Sequence, residues 1–191
     1  MAVREIVTIG DPVLRERARE VAVDELRSPE VQGLIDDLIE TRRAANGAGL
    51  AANQVGETAR VAVAEVERTN PRYPYKPPIL LTVMVNPVIE PVDDETFEVN
   101  EGCLSVPDLR GYLERHARIR VRYLDRDGEE HDEIRSGLTA GTFQHEVDHL
   151  DGVLFVDRAD PRTLSTWEHY ERHQRAEFEE RAHAIVRRYG S

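Results

Sequence analysis

The segment from Gln144 to Gly152 constrains this chain more than any other, because it contains the sequence His-Glu-x-x-His. On a helix, His145 and His149 lie one turn apart and point to the same side. Two imidazoles on one side of a helix can bind a divalent metal ion together. Glu146 lies beside the first histidine and can act on a water molecule at the metal without binding the metal itself. The segment therefore predicts a metal-binding helix.

The residues around this motif fit a helix that packs against the rest of the protein. Phe143, Val147 and Leu150 recur at helical spacing, which predicts one buried face. Gly152 suits the C-terminal end of the helix. A solvated helix that happens to carry two histidines is the alternative, and the glutamate between the histidines favours the metal site.

Two histidines do not complete a metal site, so a third ligand must lie elsewhere in the chain. Metzincin proteases place a third histidine where this chain has Phe155, which cannot bind a metal. Cys103 is the chain's only cysteine, and a thiolate binds zinc or ferrous iron strongly. Two histidines and one cysteine would leave a fourth position open, which is typical of catalytic sites. The alternatives are an inert buried thiol at Cys103 and a protease with Glu168 or Glu171 as an acidic third ligand.

The chain as a whole has 191 residues, a formal net charge of −12 and one cysteine. We expect a single domain over residues 1–191, with a core at about 5–160 and a C-terminal helix at about 161–188. The acidic excess argues against a general nucleic-acid binder. A lone cysteine forms no intrachain disulfide, and no apolar run matches a secretion signal or a membrane span. We therefore expect a cytoplasmic protein that does not bind membranes.

Three further helices are predicted from capping residues and apolar spacing. Ser28-Pro29 begins an amphipathic helix that ends near Ala45. Asp11-Pro12 begins a short helix, to about residue 18. Asp160-Pro161 begins the C-terminal helix, which also carries a second histidine pair, His169 and His173, in a setting that favours a solvated surface.

Strands are predicted from short runs of branched apolar residues and from alternation. They lie at 60–66, 79–85, 88–89, 96–99, 118–123 and 129–135. Asn86-Pro87 is predicted to turn the chain, 106–112 to form a loop over the site, and 153–156 to form a short strand or packed tail. The segment from Glu67 to Pro78 is predicted to be a loop, and an irregular surface excursion is favoured over a binding role.

Three segments taken together resemble peptide deformylase, a metallohydrolase that removes the formyl group from the N-terminal methionine of new polypeptides. They are Gly47–Gln54 (Gly-x-Gly-Leu-Ala-Ala-x-Gln), Glu101–Ser105 (Glu-Gly-Cys-Leu-Ser) and Gln144–Gly152. The resemblance implies an α+β fold in which antiparallel strands surround a central metal-binding helix, with a C-terminal helix. A metal-stabilised binding module without activity is the remaining alternative. The intact Glu146, Gln54 and Cys103 favour an enzyme.

The resemblance also implies roles for individual residues. The metal ligands would be Cys103, His145 and His149. Glu146 would be the acid and base, and Gln54 with the backbone N–H of Leu104 would hold the developing oxyanion. The residues that contact substrate or brace the site would be Gly49, Glu101, Gln144 and Arg110.

The expected metal is one divalent ion, with Fe²⁺ as the native form and Zn²⁺ or Ni²⁺ as replacements. The expected partners are N-formyl-Met nascent polypeptides, met at the ribosome by a monomer. Two features depart from the family pattern. Gly141 replaces a larger residue in the metal helix, and the loop at 67–78 is longer than in compact members.

Overall fold

Two antiparallel sheets form the framework of the protein. The structure is a computed structural model that describes residues 2–191. A five-stranded sheet has the order β1-β2-β3-β6-β7, with strands β1 (Gly49–Ala51), β2 (Val61–Val66), β3 (Ile79–Pro91), β6 (Arg118–Leu124) and β7 (Glu130–Ser136). A three-stranded sheet has the order β4-β5-β8, with strands β4 (Thr96–Cys103), β5 (Val106–His116) and β8 (Ser165–Thr166). The predicted antiparallel α+β class is confirmed.

Six α-helices and three 3-10 helices accompany the sheets in the described part of the chain. The α-helices are α1 (Val23–Leu26), α2 (Pro29–Ala44), α3 (Gly137–Leu150), α4 (Phe155–Arg158), α5 (Trp167–His173) and α6 (Arg175–Tyr189). The 3-10 helices are Pro12–Arg15, Ala52–Val55 and Pro161–Thr163. No helix within residues 2–191 combines the length and the apolar character needed to cross a membrane.

Helix α3, which carries the two motif histidines, lies between the two sheets. Phe143 and Leu150 pack in a cluster with side chains of the five-stranded sheet, including Met84 and Ile119. Leu138, near the start of the helix, packs instead with Phe97 and other residues of the smaller sheet and of α6. A helix that is apolar on more than one side is buried, and the predicted buried face at 143, 147 and 150 is confirmed.

Helix α2 forms where the sequence predicts it. The Ser28 side chain accepts a hydrogen bond from the backbone N–H of Val31, and Pro29 occupies the first turn. Ile35 and Leu38 face a second apolar cluster, in which they meet Val63 and other residues of β1–β3. This packing fixes the end of α2, which leads directly into the glycine-rich segment at 47–54.

Other predicted boundaries are wrong, for reasons that lie outside the local sequence. Asn86-Pro87 does not turn the chain, because β3 continues past both residues through a bulge. Asn86 adopts a positive φ of 53° at this bulge. The predicted loop at 106–112 belongs to β5, which pairs with β4 along most of its length. The segment at 153–156 is not a strand: Leu154 and Phe155 are buried, as the alternative of a packed tail predicts, and the short helix α4 begins at Phe155.

The predicted terminal helices are also shorter than expected. The helix predicted near residues 11–18 is a single 3-10 turn. The helix predicted at about 161–188 is interrupted, because Ser165 and Thr166 pair with Arg110 and Leu109 as β8. A second break occurs at Gln174, between α5 and α6.

Candidate active site

The side chains of Cys103, His145 and His149 meet at the centre of the fold. Cys103 is the last residue of β4, and both histidines lie on one face of α3. Their possible ligand atoms all lie within 4.8 Å of one another, and Cys103 Sγ is 3.1 Å from His149 Nε2. The structure therefore brings together the three residues that the sequence proposes as a ligand set.

The chemistry of these donors fits a divalent metal ion. Cys103 and His149 are buried. Burial opposes ionisation of the Cys103 thiol, but the charges of His149 and His145 and their hydrogen bonds outweigh it, so the pKa of Cys103 lies well below its ordinary value. A thiolate with two imidazoles is a donor set that zinc and ferrous iron both accept. Three protein ligands leave a position for water or substrate.

Glu101 orients the first histidine, as a second-layer partner of a metal ligand commonly does. Its Oε2 lies 2.8 Å from His145 Nδ1, which directs the Nε2 atom of that ring toward the cluster. Burial opposes the charge on Glu101, but the charge and hydrogen bonds of Arg115 hold its pKa far below the usual range. Glu101 is therefore a carboxylate under ordinary conditions.

Arg115 is a site residue that the sequence analysis missed. Its guanidinium donates to both carboxylate oxygens of Glu101, at 2.8 and 2.9 Å, and to Asp148 Oδ2. Asp148 also accepts two hydrogen bonds from Arg158, at 2.8 and 2.9 Å. The guanidinium thus joins β4 to α3 beside the metal ligands. Nothing in the local sequence distinguishes Arg115 from Arg110, the other arginine of its strand, because the acidic partners of Arg115 come from other segments.

Glu146 lies deep in the site against the backbone of β1. It is 3% exposed, and burial raises the pKa of its carboxyl. A Cβ atom built on Gly49 would lie 2.2 Å from Glu146 Oε1, so only glycine at this position leaves room for the carboxyl. Glu146 Oε2 has no hydrogen-bond partner within the described residues. The carboxyl is thus held beside the cluster with one oxygen free for another molecule.

The side chain of Gln54 points toward Cys103 from the glycine-rich segment at 47–54. Its Oε1 accepts a hydrogen bond from the Ala51 N–H at 2.9 Å, which fixes the amide. Its Nε2 then donates to Ser105 Oγ at 3.1 Å and points to Cys103 Sγ at 3.5 Å. Leu104, in the tight turn between β4 and β5, lines the same pocket. Gln54 Nε2 therefore lies beside Cys103, and Leu104 borders the same pocket.

The remaining predicted residues, Gln144 and Arg110, bond to groups outside the cluster. Gln144 bonds to the backbone N–H and C=O of His116, at 3.1 and 3.0 Å, and so fastens α3 to the end of β5. Arg110 is buried in the pocket wall, where it donates to Asn100 at 2.6 and 2.9 Å and lies over the rings of Trp167 and Tyr170. A direct contact of Arg110 with a substrate chain stays a prediction.

The pocket in front of the cluster is bordered by both sheets, α3 and the loop at 67–78. The favoured interpretation of that loop as a surface excursion is wrong, since Tyr73, Tyr75 and Lys76 all line the pocket. Gly141 also lines it, and a Cβ there would meet only Phe97 Cζ, at 3.5 Å, and Arg115 Cγ, at 4.0 Å. The small residue at 141 therefore leaves the pocket wider without any steric need for glycine.

The alternative third ligands lie away from the histidines. Phe155 is buried in an apolar cluster that also contains Cys103, and its side chain has no atom that could bind a metal. Glu168 and Glu171 lie on the exposed surface of α5, where they pair with Arg172 and Arg175. These positions remove the support for a protease with an acidic third ligand.

Comparison with known proteins agrees with this geometry. A family model described as polypeptide deformylase matches residues 3–165. The peptide deformylase of Leptospira biflexa is 45% identical over 158 residues, which cover 83% of this chain and 88% of the relative. Peptide deformylase 2 of Nostoc sp. is 44% identical over 81% of this chain and 85% of its own length. A Met-Ala-Ser-bound structure of class I type b peptide deformylase from Acinetobacter baumannii superposes with a TM-score of 0.78 and 41% identity, over 82% of this chain and 98% of that one.

Proposed function

The chain belongs to the polypeptide deformylase family and is a hydrolase that removes the formyl group from the N-terminal formyl-methionine of newly made polypeptides, and we propose that the cluster around Cys103, His145 and His149 is its catalytic centre. The main support is the meeting of three ligand atoms within 4.8 Å beside a buried carboxyl at Glu146 and an open pocket.

Cys103, His145 and His149 hold one divalent metal ion. Ferrous iron is the native ion, and zinc or nickel can replace it, because thiolate and imidazole ligands suit all three. When bound, the ion supplies a Lewis acid that makes a water molecule nucleophilic near neutral pH. Glu101 keeps His145 in the orientation and tautomer that ligation requires.

Glu146 moves the protons of the reaction. It accepts a proton from the attacking water and delivers one to the amine that leaves when the bond between the formyl carbon and the nitrogen breaks. The products are formate and a peptide with a free N-terminal amine. The free Oε2 atom of Glu146 is available for both transfers, and its position against Gly49 keeps it near the ligands.

Gln54 and Leu104 stabilise the charge that develops on the formyl oxygen. The Gln54 amide is already oriented by Ala51 and directed toward Cys103. The Leu104 N–H follows the metal-ligand residue directly in the chain. Donors that are oriented before the reaction act without reorganisation, and losing one of them typically costs on the order of 10²–10³ in rate.

The other predicted residues support this centre. Gly49 meets the substrate backbone along β1, and Gln144 fixes α3 against β5. Arg110 shapes the pocket wall close to the substrate chain.

The chain acts as a single domain and as a cytoplasmic monomer that meets formylated nascent polypeptides at the ribosome. The clusters that join α3 to both sheets and to α6 support one cooperative unit. The net charge of −12 favours recognition of the polypeptide over direct binding of ribosomal RNA.

The test is formate release from a formyl-Met tripeptide by protein purified anaerobically and loaded with Fe²⁺. We expect formate and the free-amine peptide in equal amounts, with the peptide bonds intact. An acetyl-Met tripeptide is the matched control, since it offers a bulkier acyl group. Absence of formate from protein with confirmed bound metal, or cleavage of an internal peptide bond, would contradict the proposal.

A further inference from the structure

Lys76 is the only lysine in the chain, and it lies in the active-site pocket. The chain contains 25 basic residues, and the other 24 are arginines spread over the sequence. An arginine is thus the usual cation of this protein, and its rigid fork is longer and bulkier than an ammonium group. The only ammonium side chain in the sequence therefore lies in the active-site pocket.

The ammonium group of Lys76 is held by the metal helix. Its Nζ donates to Thr142 Oγ1 at 2.8 Å, and Thr142 is 3% exposed and lies one turn before His145 on α3. The ring of Tyr73 covers the ammonium with its centroid 4.9 Å away. An ammonium group has three donors, and Thr142 is its only hydrogen-bond acceptor within residues 2–191.

The charged groups that face Lys76 do not neutralise it by direct contact. Glu101 and Glu146 attract it, and Arg110 and Arg115 repel it, but none of them forms an ion pair with it in the described part of the chain. Burial lowers the pKa of Lys76 to about 8, so the amine is still mainly protonated at pH 7. Two strong N–H donors are thus left in a partly desolvated pocket.

The rest of the pocket fits an unbranched side chain. Phe97, Val99 and Leu138 supply apolar walls, and Gly141 leaves extra width beside Phe97. A methionine side chain would fill this space, but its thioether is a weak hydrogen-bond acceptor. Oxidation of that sulfur to the sulfoxide keeps the length of the side chain and adds a strong acceptor.

The acceptor that suits Lys76 is neutral. Glu101, in its ion pair with Arg115, already places a carboxylate on the side of the pocket that faces the lysine. A second carboxylate, on the substrate, would lie close to Glu101 and would be repelled by it. A sulfoxide accepts hydrogen bonds without adding a net charge.

We propose that Lys76 determines the specificity of this pocket and extends the substrate class to N-formyl peptides whose first residue is methionine sulfoxide. The inference rests on the proposed function, because it assigns the first side chain of the substrate to the pocket beside Glu146. Lys76 donates to the sulfoxide oxygen while Thr142 keeps the ammonium in place. The reaction itself is the same hydrolysis, and it would free oxidised N-termini for later processing.

The experiment compares formate release from three formyl-X-Ala-Ser peptides, in which X is methionine, methionine sulfoxide or norleucine. For the wild-type protein, we expect kcat/KM on the sulfoxide to lie within about tenfold of the value on methionine. A hydrogen bond to a charged group contributes about 1.5–3 kcal/mol, so Lys76→Met should lower the ratio of sulfoxide to norleucine activity about 10- to 100-fold. Norleucine has no acceptor, which makes this ratio insensitive to a general loss of activity.

A second variant separates the donor from the shape of the pocket. Lys76→Gln keeps a neutral amide donor group without the charge, and its ratio should lie between those of the wild type and Lys76→Met. It also replaces Lys76→Met if that variant does not fold. Equal effects on all three peptides, or no change in the ratio, would show that Lys76 only supports the loop and would overturn the inference. Formate release from the methionine peptide with rejection of the sulfoxide by the wild type would overturn the inference and leave the proposed function standing. No formate from any peptide would overturn both.

Discussion

Cys103 Sγ lies 3.1 Å from His149 Nε2, although 46 positions separate the two residues in the sequence. Cys103 ends β4, and His149 lies in the last turn of α3. Ligation by both side chains would therefore join the smaller sheet to the central helix. Because such ligands meet only in the folded chain, metal binding should also stabilise the fold.

The first prediction concerns this link. Cys103→Ala removes the thiolate, and we expect bound metal to fall well below one ion per chain and the Tm of the metal-loaded protein to decrease. The measurements are elemental analysis after gel filtration and thermal unfolding with and without added metal. His173→Ala, in the exposed stacked pair with His169, is the matched control and should leave the metal content unchanged. Tight stoichiometric metal in Cys103→Ala would rule out the three-residue ligand set.

The second prediction separates proton transfer from metal binding. Glu146→Gln keeps the shape of the side chain but removes the base, so metal should remain while kcat falls about 10²- to 10⁴-fold. Metal content and formate release are measured on the same sample. Glu168→Gln on the surface of α5 should be fully active. If Glu146→Gln turned over at the wild-type rate with its metal present, another residue would have to move the proton.

The third prediction follows from the contact between β1 and Glu146. In Gly49→Ala, the new Cβ would lie 2.2 Å from Glu146 Oε1, and the carboxyl must move. Misplacing a catalytic group by about 1 Å can cost about 10²-fold in rate, and we expect a loss of that order with metal retained. Gly33→Ala on α2, where a Cβ meets nothing within 4 Å, is the control and should be active. Full activity in Gly49→Ala would show that the carboxyl has freedom to move.

The local sequence predicts α2 and β6 correctly, because the residues that define each of them lie within or directly beside the element. Capping by Ser28 and Pro29 with apolar spacing predicts α2, and the alternation of arginines with Ile119, Val121 and Tyr123 predicts β6. These patterns record which side of each element is buried. The motif at 144–152 likewise contains two of the three clustered ligand residues within one helix.

The errors occur where distant partners override local preference. Pro107 and Gly111 resemble loop residues, yet both lie within β5, where Gly111 pairs with Glu101 and Pro107 lies in a bulge between the pairs at Val106 and Arg110. The C-terminal helix is interrupted because Ser165 and Thr166 pair with β5. The roles of Lys76 and Arg115 depend on partners in other elements, so no spacing rule could indicate them.

The fourth prediction is the pH dependence of the sulfoxide preference. Burial lowers the pKa of Lys76 to about 8, so the ammonium donor is present below that pH and is lost as the pH rises through it. The ratio of sulfoxide to norleucine activity should therefore be high at pH 7 and should fall between pH 7 and 9. Glu146 acts on both peptides, so its own titration cancels in the ratio. In Lys76→Met the ratio should be low and flat, and a flat ratio in the wild type would contradict a charged donor at this position.

The last prediction concerns the ion and the thiolate together. Zinc has no redox chemistry, whereas ferrous iron reacts with oxygen, and a thiolate beside it can be oxidised to sulfenic and sulfinic acids. Oxidation of Cys103 removes one of three ligands, so the metal should leave and activity should decay in air. The iron-loaded protein should therefore lose activity faster than matched zinc- or nickel-loaded samples, measured by timed formate release with mass spectrometry of the Cys103 peptide. Because Cys103 is the only cysteine, no second thiol can account for the modification. Equal lifetimes in air with Cys103 unmodified would refute iron and this thiolate as the oxygen-sensitive centre.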